Sequence, residues 1–394
     1  MKWIKTGVVG ALAGMLLATS ALAGPTWQFG PEDKGLLKFE YKGQFQLSHR
    51  DTGAGEDNDE AATEFNFRRN RLAFMGAYGS NFGLYVQTEF NEDNNIGTLA
   101  VTDGENSDFQ ILDAVMRFKL NEQVNVWVGK FKYSLTRENL EACEMPLTLD
   151  RSNFIRAPYV STRDKGVALW GNLADGMFQY RLDAMNGRND NDSTPKSNLR
   201  YSARGHVSLL DKETGYGYKG TYLGEKRVLT LGAAYQFESD VEYEAPGSGS
   251  VDYSAWTVDG FFEYPIEEVG TFTLSAAYVD YDLDDAYQAN TAAGLTGING
   301  QKNGGYTKAG YMLPNTPLQF FGRYEQWSFA SLNNIYDQEI TAYAGGVNYY
   351  FRGQSLKLTV EYSVVDFDKE GTFGVNDLKT EDINTLTAQL QLIF

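Results

Sequence analysis

The sequence predicts an all-β fold: a transmembrane antiparallel β-barrel of about 16 strands with one constriction loop folded inward. Three observations predict it. The final residues alternate strictly, with Leu386, Ala388, Leu390, Leu392 and Phe394 on one face and Thr385, Thr387, Gln389 and Gln391 on the other. That period of two is a strand with an apolar and a polar side. A barrel in lipid has no free edge, so its last strand closes on its first and can end the chain. At the opposite end, Lys2 and Lys5 precede an apolar run from Gly7 to Leu17 and then Ala21-Leu22-Ala23. This reads as an export leader cleaved after Ala23, too short to remain as a membrane helix. Finally, alternating segments are joined by short turns and longer polar loops in succession along the whole chain.

The expected organisation is a leader at 1–23, a periplasmic lead-in at 24–35 and the barrel at 36–394. The first strand carries Leu37, Phe39, Tyr41, Phe45 and Leu47 on one face and Lys38, Glu40, Lys42, Gln44 and Gln46 on the other. An acidic loop is expected from Asp51 to Thr63. The second strand sets Leu72, Phe74 and Tyr78 against Arg69 and Arg71. It turns at Gly79-Ser80-Asn81 into Phe82, Leu84 and Val86. Further turns are expected at 121–123, 172–176, 265–270, 314–317 and 352–355. Apolar faces recur at Phe178 to Ala184, Trp256 to Tyr264, Phe272 to Tyr278 and Leu356 to Val364. The weakest patterns are at 124–133 and 306–313. All nine prolines fall in predicted turns, loops or the lead-in, as expected of a residue that cannot donate to a ladder. The 25 Tyr and 24 Phe suit strands and interfacial girdles.

Charge narrows the function. The chain carries −18 at neutral pH, a balance that does not suggest nucleic acid as a partner. Basic residues concentrate in the first half. Residues 24–210 hold 21 Lys and Arg against 26 Asp and Glu, and residues 211–394 hold 11 against 26. Cys143 is the one cysteine, so no intrachain disulfide forms. Neither His49 nor His206 has a partner at metal-ligand spacing, so no metal or cofactor is expected. No nucleophile elbow or phosphate-cradling glycine loop points to an enzyme.

The longest loop of the first half, 134–165, contains Leu140, Leu147, Phe154, Ile155 and two prolines, enough apolar material to pack inside the barrel. From Lys130 to Lys165 seven basic residues face five acidic ones. Strand register adds Arg69, Arg71, Arg117, Arg181, Arg200 and Arg204 to the lumen side. With Lys130, Lys132, Arg137, Arg151, Arg156, Arg163 and Lys165 they form the candidate pore-lining, anion-binding set. Such a ring lowers the barrier for anions and raises it for cations, and the guanidinium fork suits oxyanions. Taken singly, each arginine serves equally well as partner to a wall carboxylate such as Asp113 or Asp183.

Gly129-Lys130-Phe131-Lys132, Thr136-Arg137-Glu138-Asn139-Leu140, Asp150-Arg151-Ser152 and Arg163-Asp164-Lys165-Gly166, with Arg68-Arg69-Asn70-Arg71-Leu72 before them, resemble the phosphate-selective porin O and P family. The resemblance is densest from Glu64 to Gly187. It implies a sixteen-stranded, homotrimeric outer-membrane porin for small polar solutes, with a preference for anions such as phosphate. The acidic outer loops around Asp282 and Asp366 depart from that picture. They suit divalent cations that bridge lipopolysaccharide. The alternative is a barrel that sheathes a partner such as a multihaem cytochrome, which requires an unobstructed lumen. The long stretch Asp211 to Arg227 is odd for a turn and is a candidate dock for a periplasmic partner or neighbouring subunit.

Overall fold

The structure, a computed structural model, describes residues 24–56, 59–90, 109–152, 154–188, 194–244, 247–283, 302–329, 338–373 and 378–394. The expected leader lies outside the described residues. Among the described residues, 16 antiparallel strands close into one barrel. They are β1 (Gly35–Ala54), β2 (Glu60–Tyr78), β3 (Phe82–Glu89), β4 (Gln110–Lys119), β5 (Asn125–Phe131), β6 (Asp164–Leu173), β7 (Phe178–Met185) and β8 (Arg200–Ser208). The second half comprises β9 (Val228–Glu242), β10 (Val251–Ile266), β11 (Gly270–Asp282), β12 (Lys302–Met312), β13 (Leu318–Phe329), β14 (Gln338–Gln354), β15 (Leu356–Phe367) and β16 (Ile383–Ile393). Each pairs with its successor. A short extra strand, Thr26–Phe29, lies against the start of β1.

The ring closes where β16 meets β1, from Thr385 opposite Arg50 to Ile393 opposite Lys42. Phe394 continues the pairing with both backbone groups: its N–H donates to Tyr41 O at 2.9 Å and its carbonyl accepts from Tyr41 N at 2.8 Å. Polar side chains cross the same seam inside the barrel. Gln44 Nε2 donates to Gln391 Oε1 at 2.6 Å, Gln46 Nε2 to Gln389 Oε1 at 2.9 Å, and Ser48 and Thr387 hydroxyls meet at 3.1 Å. A soluble sandwich would bury the apolar face instead. Here Leu386, Leu390, Leu231, Val258 and Leu274 are the exposed residues, while Gln44, Gln389 and Glu263 are buried. Outside is apolar and inside polar, the pattern of a barrel in lipid.

Both weak strand patterns are real strands, β5 and β12. Two expectations need correction. The acidic loop at Asp51 to Thr63 is mostly strand, because β1 and β2 stay paired out to Ala54 opposite Glu60. Polar residues do not oppose a hairpin that is solvated on both faces. Pro265 lies inside β10, not in a turn. There β9 pairs with β10 only as far as Glu263, so one side of Pro265 has no ladder and the missing N–H is tolerated.

Val258 stands mid-strand on the outward face of β10. Val258→Arg is expected to lower folding stability by about 2–4 kcal/mol, measured by denaturant titration of the protein refolded in lipid vesicles. No loss would show that this face is not in hydrocarbon.

Candidate functional site: the barrel lumen

The segment between β5 and β6 reaches across the ring. It starts with Ser134 N–H donating to Asp183 of β7 at 2.5 Å. Thr136 then caps the one-turn helix α1 (Arg137–Leu140), its hydroxyl accepting from Asn139 N at 3.0 Å. The β8 side chain of Arg204 donates to Leu135 O at 3.0 Å. On the far side Asn348 of β14 donates to Leu147 O at 2.8 Å, Glu361 of β15 accepts from Leu149 N at 2.9 Å, and Gln391 of β16 donates to Glu144 O at 2.9 Å. Lys308 of β12 pairs with Glu138. Asp150 is gripped by two consecutive arginines of β2, Arg68 at 2.6 Å and Arg69 at 2.8 Å. Residues next to each other on a regular strand point to opposite faces. Here Gln44 pairs with Arg69 but Phe45 with Phe67, leaving Arg68 as a bulge that re-aims its side chain inward. The segment's apolar residues Leu135, Leu140, Leu147, Phe154 and Ile155 are buried, and Phe154 stacks on Trp327 at 5.5 Å.

A second segment also enters the lumen. Residues 209–227 join β8 to β9 on the rim where the other connections are short. Instead of projecting outward, this turn meets the first segment backbone to backbone. Ala142 N donates to Tyr218 O at 2.9 Å, and Gly220 N donates to Met145 O at 2.9 Å. Arg137 donates to both oxygens of Glu213 at 2.9 and 2.8 Å, and Tyr222 hydroxyl donates to the same carboxylate at 2.6 Å. Tyr216 stacks on Trp127 of β5 at 4.0 Å. Glu263 of β10 accepts from Tyr222 N and Gly224 N. The stretch expected as a dock is therefore folded into the chain's own lumen, against the first segment and Glu263.

Most of the predicted cations face inward and are already paired. Arg71 holds Glu89 at 2.6 Å, Arg163 holds Asp113 at 3.0 Å, Arg200 holds Glu238 at 2.5 Å and Arg204 holds Asp259 at 2.7 and 2.9 Å. Arg181 donates to Tyr218 hydroxyl at 2.6 Å and to Tyr216 O at 2.7 Å. Arg117 lies 4.3 Å from the centre of the Trp127 ring and 4.9 Å from that of Tyr85. Arg156 reaches Val160 O at 3.4 Å. The Arg151 guanidinium donates to the carbonyls of Glu138 and Asn139, at 3.4 and 3.5 Å, while its backbone N–H donates to Asp150 Oδ1 at 2.8 Å. Lys132 donates to Glu141 O at 2.5 Å and lies 3.6 Å from Cys143 Sγ.

Lys130 and Lys165 depart from the expectation that they line the pore. They sit opposite each other in the β5–β6 register and share the parity of outward-facing Val167 and Leu169, so both lie on the outer face. Phe131 takes the inward position instead, because Trp127 and Tyr216 give it an aromatic pocket. Sequence reasoning missed Lys42, Arg68, Arg188, Lys308, Arg323 and Lys357 as lumen cations. Parity could have found Lys42, which alternates with Gln44 and Gln46. The bulge that turns Arg68 inward leaves no local signal.

The field in the loop follows from this pairing. Burial alone would raise Asp150, but Arg68, Arg69 and Arg151 hold its carboxyl well below the ordinary range. Burial likewise works against Glu213, yet Arg137 pulls it down to about 2. Burial pushes Glu141 up, reinforced by Glu138, so it favours the neutral form. Burial also pushes Lys132 down to about 7. Burial would raise Cys143, but Arg151, Lys132, Arg71 and Arg69 together hold its thiol well below its usual value. His206 Nδ1 meets Tyr218 hydroxyl at 2.7 Å. Among the described residues no group of three or more His, Cys, Asp or Glu side chains is placed to hold a metal.

A closed ring of strands, apolar outside and charged within, defines an outer-membrane channel protein of the porin class. The chain belongs to the phosphate-selective porin O and P family, whose description matches residues 39–394. Solved structures of similar fold include the outer membrane channel DcaP of Acinetobacter baumannii, at TM-score 0.58 and 15% identity, covering 93% of this chain and 99% of that one. The anion-selective porin from Comamonas acidovorans matches at TM-score 0.57 and 9% identity, over 91% and 100%. OmpT of Vibrio cholerae in its trimer form matches at TM-score 0.52 and 13% identity, over 91% and 99%. At such identities the likeness concerns the fold. No curated protein matches the sequence.

Arg204 and Asp259 are both fully buried, so removing one strands the other. Arg204→Met is expected to cost about 3–5 kcal/mol, and adding Asp259→Leu to recover most of it. Denaturant unfolding of the two variants in detergent checks this; equal losses would mean the pair is not desolvated.

Proposed function

We propose that this porin passes small polar solutes by passive diffusion with a preference for anions, and that segment 132–163 forms its constriction. The observation that carries the reading is an imbalance of partners. Asp113, Glu138, Asp150, Glu213, Glu238 and Asp259 are each held by a lumen cation. Asp183 and Glu263 receive backbone N–H groups instead. The side chains of Lys132 and Arg151, by contrast, donate to carbonyls and pair with no carboxylate, and the lowered Cys143 thiol beside Lys132 offsets one of these two charges at most. Lys357 Nζ is buried with no hydrogen-bond partner. Cations without carboxylates leave a positive local field, which attracts anions and repels cations. Of the candidate set, Lys132 and Arg151 carry the proposal, with Arg69, Arg71 and Arg163 as the charged wall behind them.

The native protein would be exported by a leader cleaved after Ala23. It would assemble as a homotrimer among outer-membrane lipid and lipopolysaccharide. Phosphate and related oxyanions are the solutes that the family and the guanidinium groups favour. The contacts that carry 132–163 from β7 to β16 argue against a cytochrome sheath, which needs an open lumen.

Reversal potentials in planar bilayers across a potassium chloride gradient, with and without phosphate, test the reading. The wild type is expected to be anion-preferring. Lys132→Met with Arg151→Met is expected to lower the chloride-to-potassium permeability ratio about threefold or more. Cation preference in the wild type would overturn the anion reading, and an unchanged ratio in the variant would remove these two residues from it. A pH series tests Lys132 by itself. Its ammonium is charged below a pKa of about 7, so anion preference should fall as pH rises from about 6 to 8. Lys132→Met should flatten that dependence; a wild-type ratio constant over the interval would exclude Lys132.

A further inference from the structure

We propose that the 209–227 turn is the second wall of the constriction, and that Glu213 within it sets the aperture and charge by latching Arg137. This rests on the channel reading and goes beyond it. Two segments from opposite rims meet mid-lumen, and their contact is built rather than incidental. It has backbone bonds at Ala142–Tyr218 and Gly220–Met145 and a two-pronged ion pair between Arg137 and Glu213. Arg137 is fully buried and Glu213 nearly so. The guanidinium also lies 4.3 Å from the Tyr218 ring centre and 4.2 Å from that of Phe261. A charge enclosed in this way is held by its partner, and loss of the partner leaves it uncompensated.

Gly220 supplies the second, independent observation. A Cβ there would lie 2.5 Å from Glu141 Oε1 and 2.6 Å from Leu147 N. Only glycine lets the two backbones come this close. Any larger residue acts as a wedge between turn and loop. The turn's other end is tied to the wall through Glu263, so a broken latch frees the middle of the turn while its base stays anchored. Arg137 is thereby a positioning residue with its charge cancelled. Its release would add one positive charge to the path as the path widens.

The test uses the full chain refolded in bilayers, with two variants and two readouts. Glu213→Gln keeps the size of the side chain and removes its charge; Gly220→Val wedges the contact without altering charge. Both are expected to raise single-channel conductance. Only Glu213→Gln should also raise the chloride-to-potassium permeability ratio, by about two- to fivefold. The second readout is maleimide labelling of Met145→Cys, a buried loop site whose backbone carbonyl takes the Gly220 N–H, in a Cys143→Ser background. Each variant should speed labelling about tenfold or more, an increase in local opening. Unchanged labelling in both variants would overturn the latch. Faster labelling in a protein whose wild type does not conduct would leave the latch standing and overturn the channel reading. Faster labelling with unchanged conductance and selectivity would refute the turn as a wall of the constriction.

Discussion

Hydrocarbon offers no partner to a backbone N–H or C=O, and this constraint organises the whole molecule. Every strand must find a neighbour on both sides, so the sheet must close. Closure falls on β16 and β1, whose residues are separated by nearly the entire chain, and it extends to the terminal Phe394. The side chains follow from that choice. Alternation gives each strand one face to lipid and one to the lumen, so a chain that satisfies the lipid with Leu231, Val258 and Leu390 must place its polar residues inside.

An enclosed polar interior creates a second demand. Buried charges are costly unless paired and hydrogen-bonded, and the lumen is narrow enough for its walls to answer one another. Asp150 reaches Arg68 and Arg69, Lys308 reaches Glu138, and Glu361 receives Leu149 N. These bonds hold a segment of 30-odd residues with one turn of helix in a defined path. Its rigidity comes from the wall, since a helix this short has no stability of its own. The same logic draws the 209–227 turn inward, where Glu213 answers Arg137 and Glu263 answers the turn's backbone.

Periodicity made the barrel legible, and the strands at 125–131 and 302–312 show that even faint alternation sufficed. Parity, applied strictly, also separates lumen from lipid, as Lys42 illustrates. The charge of the 130–165 segment and the family likeness misled at Lys130 and Lys165, which parity places on the outer face. The path of 209–227 had no local signature. Gly217, Tyr218 and Gly220 read as part of a stretch odd for a turn, a candidate dock, until Leu140, Arg137 and Met145 are seen beside them. Contacts between residues some 75 apart in the chain decide such paths, and local pattern does not report them.

Net charge illustrates why the site had to be read residue by residue. A chain at −18 appears ill suited to attract anions, yet net charge describes the outer surface and the loops as much as the pore. Wall carboxylates such as Asp113, Glu238 and Asp259 face cations at contact distance and project little field. Acidic residues such as Asp252 and Glu339 stand on outward faces; charges separated by more than about 10 Å in salt are largely screened. What a permeating ion meets is the residue of that cancellation. Within the lumen loop the proposed anion preference rests on Lys132 and Arg151, whose side chains face carbonyls, with Cys143 offsetting one of their charges at most and Glu141 tending to the neutral form. Selectivity in this barrel thus depends on which charges lack partners, and the overall count of charges is a poor guide to it.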